Sequence, residues 1–276
     1  MTASLGLGPE AAIRLGAFAS VFALMAAWEI ARPARMPRLS RLVRWRANLG
    51  LVVVNVVAVR FLLPTTAIAV AAIAEAKGWG LLHRFALPAW AAVGSAIVLL
   101  DLAIYFQHVL FHAVPALSRL HMVHHADPDF DLTTGLRFHP VEMLLSAAIK
   151  MAVVAALGAP VAAVLAFEVL LNVTALFNHS NVSLPAWMER WVRRVLVTPD
   201  MHRIHHSVIE AERNSNYGFC LSTWDRMLGT YTPAPQLPLD IGLAAWRDPQ
   251  DVASLSGVLG MPFRHARLPE LQAGHD

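Results

Sequence analysis

The chain has 276 residues, 57% of them hydrophobic and only 15% charged. A soluble domain carries about 25% charged residues, so this composition excludes an ordinary soluble fold and points to an integral membrane protein. The net charge of +3 then reports topology and anionic lipid rather than nucleic acid. The single cysteine, Cys220, excludes an intrachain disulfide and a cysteine-based metal site.

The first apolar run, residues 11–30, is long enough for one crossing at about 20 residues. Glu10 precedes it, and neither a basic lead-in nor a small-residue cleavage site marks it as a removable leader. Arg32, Arg35, Arg38, Arg41, Arg44 and Arg46 follow at once and mark the cytoplasmic side. A second run at 49–75 holds Arg60 and Pro64, and 76–84 reads as a short loop. The third run is 85–111. The fourth, 141–177, is too long for one crossing and is interrupted at Gly158-Ala159-Pro160, which predicts a helical hairpin. Residues 182–231 are more polar and predict a cytoplasmic cap; 232–276 form a Pro-rich tail. The expected fold class is all-α, a polytopic membrane bundle with a histidine-rich helical cap.

Eleven of the thirteen histidines lie between positions 83 and 206. Eight form three clusters: His108 with His112, His121 with His124 and His125, and His202 with His205 and His206. Residues three and four apart share a helix face, so each cluster presents imidazoles together. The predicted topology brings all three clusters to one membrane surface. His179 adds a ninth candidate ligand and His139 a tenth, its following proline favouring an extended backbone. A pair of first-row metals needs about four or five donors each, and imidazole suits iron, copper, zinc and nickel. Asp101 lies two helical turns before His108 and is expected to accept a ring N–H from a metal-bound histidine. Glu168 and Asn172 share a helix face with His179 and are expected in the same site. His83, His265 and His275 read as surface residues, Trp187 and Trp191 as headgroup-level anchors, and Cys220 as an inert small apolar residue.

The segments DLAIYFQH-x3-H, HMVHH, TTGLRFHPVE, NHSNV, PDMHRIHH and NYGFCLSTWDRMLGTY resemble the fatty acid hydroxylase/sterol desaturase superfamily over residues 97–231, and RWRANLGLVVVN near residue 44 fits the same pattern. Val109 departs from it, standing where a basic residue is expected. The resemblance implies a membrane enzyme with two iron ions that uses O2 on lipid C–H bonds, zinc replacing iron in a purified sample. It implies His108, His112, His121, His124, His125, His179, His202, His205 and His206 as ligands, with His139 less securely matched. On this reading 1–84 holds the first spans and the arginine loop, 85–231 the catalytic domain and 232–276 the tail. No fused haem domain, nucleotide-binding fingerprint or cysteine-ligated cluster is present in the sequence. Electrons are therefore expected from a separate ferredoxin or cytochrome with its reductase. The expected location is a bacterial inner membrane with the metals on the cytoplasmic side.

Hydroxylation ranks ahead of desaturation, which shares its first hydrogen abstraction. A divalent-metal transporter or storage protein is a rival reading. Transporters set ligands near the bilayer midplane, whereas these lie at span ends. A zinc hydrolase is a second rival, but such a site keeps three protein ligands and a water, far fewer than this set. The lipid, the oxidised carbon and the oligomeric state are not legible in the sequence.

Overall fold

The computed structural model describes residues 9–265, and every regular element within them is helical. The membrane bundle comprises α1 (Pro9–Ala31), α2 (Arg41–Leu62), α3 (Ala67–Lys77), α4 (Ala89–Ala113), α5 (Pro115–His125), α6 (Pro140–Leu157) and α7 (Val161–Asn178). Short helices follow: α8 (Ala186–Val192), α9 (Pro199–His205), α10 (Glu210–Arg213), α11 (Thr223–Leu228), α12 (Pro249–Val252) and α13 (Leu255–Gly260). Five segments among the described residues are long and apolar enough to cross a membrane: Glu10–Ala31, Arg41–Arg84, Ala89–Ala113, Pro140–Leu157 and Val161–Asn178.

The second segment departs from expectation. It begins at Arg41 rather than near 49, and divides into α2 and α3 around Pro64, which cannot continue a helix without losing a backbone bond. The earlier start arises because Arg44 has buried partners and belongs to the helix rather than to a solvated loop. The expected hairpin is present as α6 and α7. Gly158 ends α6 in the left-handed conformation at φ +64°, where a side chain is disfavoured. A Cβ on Gly158 would also meet the Trp79 carbonyl and the His83 ring, so the hairpin tip and the 3-10 turn at Leu81–Arg84 close together at the end of the bundle remote from the three histidine clusters.

Helix α1 packs on α7, α2 on α6, and α4 on α5, α6 and α7. Small residues let the spans approach at the remote end: Ala67, Ala71, Ala96, Ala159 and Ala163 surround Leu100, Val154, Val164 and Phe167. The tail is more ordered than its Pro-rich sequence suggests. Trp246, Val252, Val258 and Met261 bury against Leu51 of α2 and Val123 and Ala126 beside α5. The rest of the tail, 266–276, lies outside the described residues, and His275 with it.

At the histidine end, polar groups of α1 and α2 organise the chain that leaves α5. Arg44 donates to both carboxylate oxygens of Asp127, at 2.7 and 2.8 Å, and to Asp131 at 2.5 Å. Asn48 donates to Asp127 and Thr133, and accepts from Arg137 at 2.9 Å. Glu29 accepts the backbone N–H groups of Leu132 and Asn181, joining the two loops that flank the histidines. Burial alone would raise the Asp127 carboxyl, but the Arg44 guanidinium holds it below the usual range.

Replacing Arg44 with Met leaves two buried carboxylates without their cation. Removing one partner of a buried pair costs about 3–5 kcal/mol. The expected result is a sharp fall in the thermal midpoint of the detergent-solubilised protein; an unchanged midpoint would contradict this role.

Candidate metal centre

Four elements bring nine imidazoles together. Helix α4 carries His108 and His112 one turn apart, α5 ends in His121, His124 and His125, and His179 caps the C-terminus of α7. Helix α9 carries His202 and His205, with His206 at its end. Its start is fixed by Pro199 at the first position and by Thr198, whose hydroxyl accepts the Met201 N–H at 3.3 Å.

The nine rings sort into two groups. His108, His112, His121, His125 and His205 form one; His124, His179, His202 and His206 form the other. Within each, one nitrogen from every ring lies within 4.8 Å of the rest. In the second group Nε2 of His179 stands 3.2 Å from Nε2 of His124 and 3.0 Å from Nε2 of His202. Metal–nitrogen bonds of about 2.1 Å set nitrogens roughly 3–3.5 Å apart around a tetrahedral ion, so this spacing suits a shared cation.

The outward edges of five of the nine rings are held by the protein, while Nδ1 of His124, His125, His202 and His206 is buried without a partner. Nδ1 of His108 donates to the Tyr217 carbonyl, that of His205 to the Ser215 carbonyl and that of His179 to the Ala175 carbonyl, each at 2.8 Å. Nδ1 of His112 faces Asn214 Oδ1 at 3.3 Å, and that of His121 faces Glu142 Oε1 at 2.6 Å. These contacts fix the tautomer and turn Nε2 inward. Nε2 of His108, His112, His121 and His205 is accordingly buried without a protein partner, as are both ring nitrogens of His125 and His206. Buried polar atoms are otherwise almost always paired, so this convergence of orphaned nitrogens fits two metal ions. A Cβ at Gly135 would come within 2.7 Å of the Ala175 carbonyl and 2.9 Å of His179 Nδ1, so only glycine leaves that hydrogen bond intact.

Aromatic walls keep the site dry. Phe138 stacks on His124 with centroids 4.6 Å apart, and Phe130 stacks on His179 at 5.7 Å. Phe138 is itself placed by Asn55, which donates to its carbonyl at 2.9 Å. Burial holds the rings of His124, His125, His202, His205 and His206 well below the usual imidazole range, and that of His179 down to about 3. They are therefore neutral, which is the ligating form. His112 is the one partly exposed member of the two groups.

Four residues expected in the site stand elsewhere. His139 is the N-cap of α6: its Nδ1 accepts the Val141 N–H at 3.2 Å, and its Nε2 faces the Leu259 carbonyl. Asp101 accepts from the backbone N–H groups of Cys220 and Leu221 and from the Trp224 indole, not from a histidine. Glu168 pairs with Lys150 at 2.6 Å and Arg14 at 2.9 Å within the bundle, and Asn172 bonds back to the Glu168 carbonyl. Sharing a helix face with His179 did not bring Glu168 and Asn172 to the site, because they lie about three and two turns below it along α7. The supporting groups that sequence reasoning missed are Glu142, Asn214 and the carbonyls of Ser215 and Tyr217. Asn214–Tyr217 follows the third histidine cluster closely, and Glu142 falls three residues after His139. Those positions were the available signal.

Glu142→Ala should weaken metal affinity by about 10–100-fold, read by chelator competition; wild-type affinity would remove Glu142 from the site. His139→Asn keeps a good helix cap and should keep the full metal content, whereas loss of one metal equivalent would return His139 to the ligand set.

Residues 93–230, half of the chain, match the family described as fatty acid hydroxylase. The chain is 32% identical over 148 residues to the ornithine lipid hydroxylase OlsE of Rhizobium tropici, covering 53% of this chain and 44% of that protein. It is 31% identical over 137 residues to the alkylglycerol monooxygenase of Xenopus tropicalis, covering 48% and 29%. The human alkylglycerol monooxygenase is 26% identical over 144 residues, covering 50% and 30%. The chain thus spans less than half the length of the curated relatives it matches. No solved structure matches it. A match over half of the chain, containing all nine grouped histidines, makes this protein a member of the fatty acid hydroxylase family.

Proposed function

We propose that the chain is a membrane lipid hydroxylase that works through two iron ions, one held by His108, His112, His121, His125 and His205 and the other by His124, His179, His202 and His206. The observation that carries this reading is the convergence of nine imidazoles, eight of them buried, with orphaned ring nitrogens, at one end of a bundle of apolar spans. Iron in such a site supplies O2 activation with two external electrons. The protein's own part is positional. Glu142, Asn214 and three backbone carbonyls orient the rings, and Phe130 and Phe138 exclude water. The nearby ends of the spans let a lipid present a chain carbon without leaving the bilayer.

The names of the relatives, a hydroxylase of ornithine lipid and a monooxygenase of alkylglycerol, favour oxygen insertion over desaturation. Nine histidines exceed a zinc hydrolase site, and their place at the span ends disfavours transport. We assign the metal end of the bundle to the cytosolic face of a bacterial inner membrane, because the arginines at 32–46 lie at that same end. A ferredoxin or a cytochrome with its reductase would supply the electrons.

The test is a mass-spectrometric comparison of lipids from cells expressing the wild type or His124→Ala, grown under 18O2. A lipid that gains one 18O only with the wild type is the expected result. A loss of two hydrogens without label would replace hydroxylation by desaturation. A difference in cellular metal content with no oxygen-dependent lipid change would favour transport.

A further inference from the structure

The segment after the third histidine cluster is fastened far inside the spans. Asp101 is the central residue of α4, whose 25 residues run from Ala89 to Ala113. It lies about 18 Å along the axis from the histidine end of that helix, at 1.5 Å per residue. Its carboxylate accepts the N–H groups of Cys220 and Leu221, both at 3.1 Å, and the Trp224 indole at 2.8 Å. From the other side, Thr174 of α7 contacts the Cys220 thiol at 3.2 Å, about one turn (~6 Å) inside the end of that span. Asn178 donates to the Phe219 carbonyl. Helix α11 then climbs back along α4, where Thr230 meets the Tyr105 hydroxyl at 2.8 Å. Met227 and Leu228 lie in sequence between these two attachments to α4, Trp224 on Asp101 and Thr230 on Tyr105.

Non-helical backbone is tolerated at membrane depth only where its polar groups are satisfied within the protein. This segment meets that condition. Residues 195–197 and 220–222 pair through an antiparallel bridge at Leu196 and Leu221, with Val197 N–H on the Cys220 carbonyl and Ser222 N–H on the Val195 carbonyl, both at 3.0 Å. Asp225 accepts the N–H groups of Tyr217 and Gly218. The outward face carries a group of exposed apolar side chains: Met227 is 69% exposed, Leu228 47%, Val195 56% and Trp191 58%. Arg194 and Arg226 are exposed as well, each with its guanidinium over an aromatic ring. Arg226 lies over the Tyr231 ring at 3.8 Å and donates to the Arg193 carbonyl, and Arg194 lies over Trp191 at 4.2 Å.

We infer that residues 193–197 and 217–230 form a re-entrant lobe embedded in the acyl-chain region of the bilayer beside α4 and α7, with Met227, Leu228 and Val195 in contact with lipid hydrocarbon. This placement gives the mid-span carboxylate of Asp101 its purpose, which is to satisfy the loop's donors where water is absent. Because the same loop supplies the Ser215 and Tyr217 carbonyls to His205 and His108, the lobe sets the metal site at the membrane boundary. The inference rests on α4 being a membrane span and not on the chemistry of the site.

The test is the relaxation of a nitroxide in lipid nanodiscs by O2, which concentrates in hydrocarbon, against a water-soluble nickel chelate. Labels are attached through Met227→Cys, through Val98→Cys on the exposed face of α4, and through Glu210→Cys in the cap. The native Cys220 is buried, and the unsubstituted protein serves as the labelling blank. The expected result is an excess of O2 over nickel accessibility at 227, of the same sign as at 98 and opposite to 210. A nickel excess at 227 with an O2 excess at 98 overturns the lobe. A nickel excess at 98 as well overturns it by removing α4 from the membrane. Normal metal content and a monodisperse profile establish that each labelled protein is folded.

Discussion

The structure depends on one constraint. A buried imidazole has two ring nitrogens, and a protein that means to offer one inward must satisfy the other outward. Five of the nine histidines meet it directly, through Glu142, Asn214 and the carbonyls of Tyr217, Ser215 and Ala175. Those acceptors come from α6, α7 and the 214–217 loop, so the site requires every one of these elements at its correct height. The loop itself is pinned by Asn216, buried at φ +53°, a left-handed conformation that asparagine tolerates. Its side chain donates to the Met201 and Thr232 carbonyls and accepts the Thr232 N–H.

The second layer is electrostatic. Arg44, Asp127, Asp131, Asn48 and Arg137 form a buried network between α2 and the chain leaving α5. A buried pair is a poor source of net stability, since desolvation offsets much of the attraction. Its geometric consequence is clearer. Arg137 donates to the Val123 carbonyl at 2.6 Å, one residue before His124, and Phe138 next to it stacks on that ring. The network thus transmits the position of α2 to the floor of the metal site. The ordered tail closes the same region, because Trp246 and Val258 bury against Leu51 and Val123.

Much of this was legible in the sequence, and the remainder fails for physical reasons. The spans and the Gly158–Pro160 break follow from hydropathy and backbone chemistry, which are local properties. The nine grouped histidines were legible because helical spacing places each cluster on one face and the topology sends all clusters to one end. Asp101, Glu168 and Asn172 were misplaced because helix phase gives direction but not height. Asp101 points toward the 217–224 loop below the histidines, and Glu168 meets Lys150 and Arg14 at mid-bundle. His139 is the least securely matched of the ten candidates, and the extended backbone that its following proline favours suits the N-cap of α6, the place it takes in the fold. The carbonyls of Tyr217 and Ser215 leave no residue-type signal at all, since any residue carries one.

The proposed centre holds two metals with unequal ligand sets, five imidazoles for one ion and four for the other. The most direct measurement is metal analysis with Mössbauer spectroscopy of protein loaded anaerobically with 57Fe. Two irons per chain in two distinguishable ferrous environments are expected. One iron per chain, or none, in the folded wild-type protein would contradict a two-metal centre.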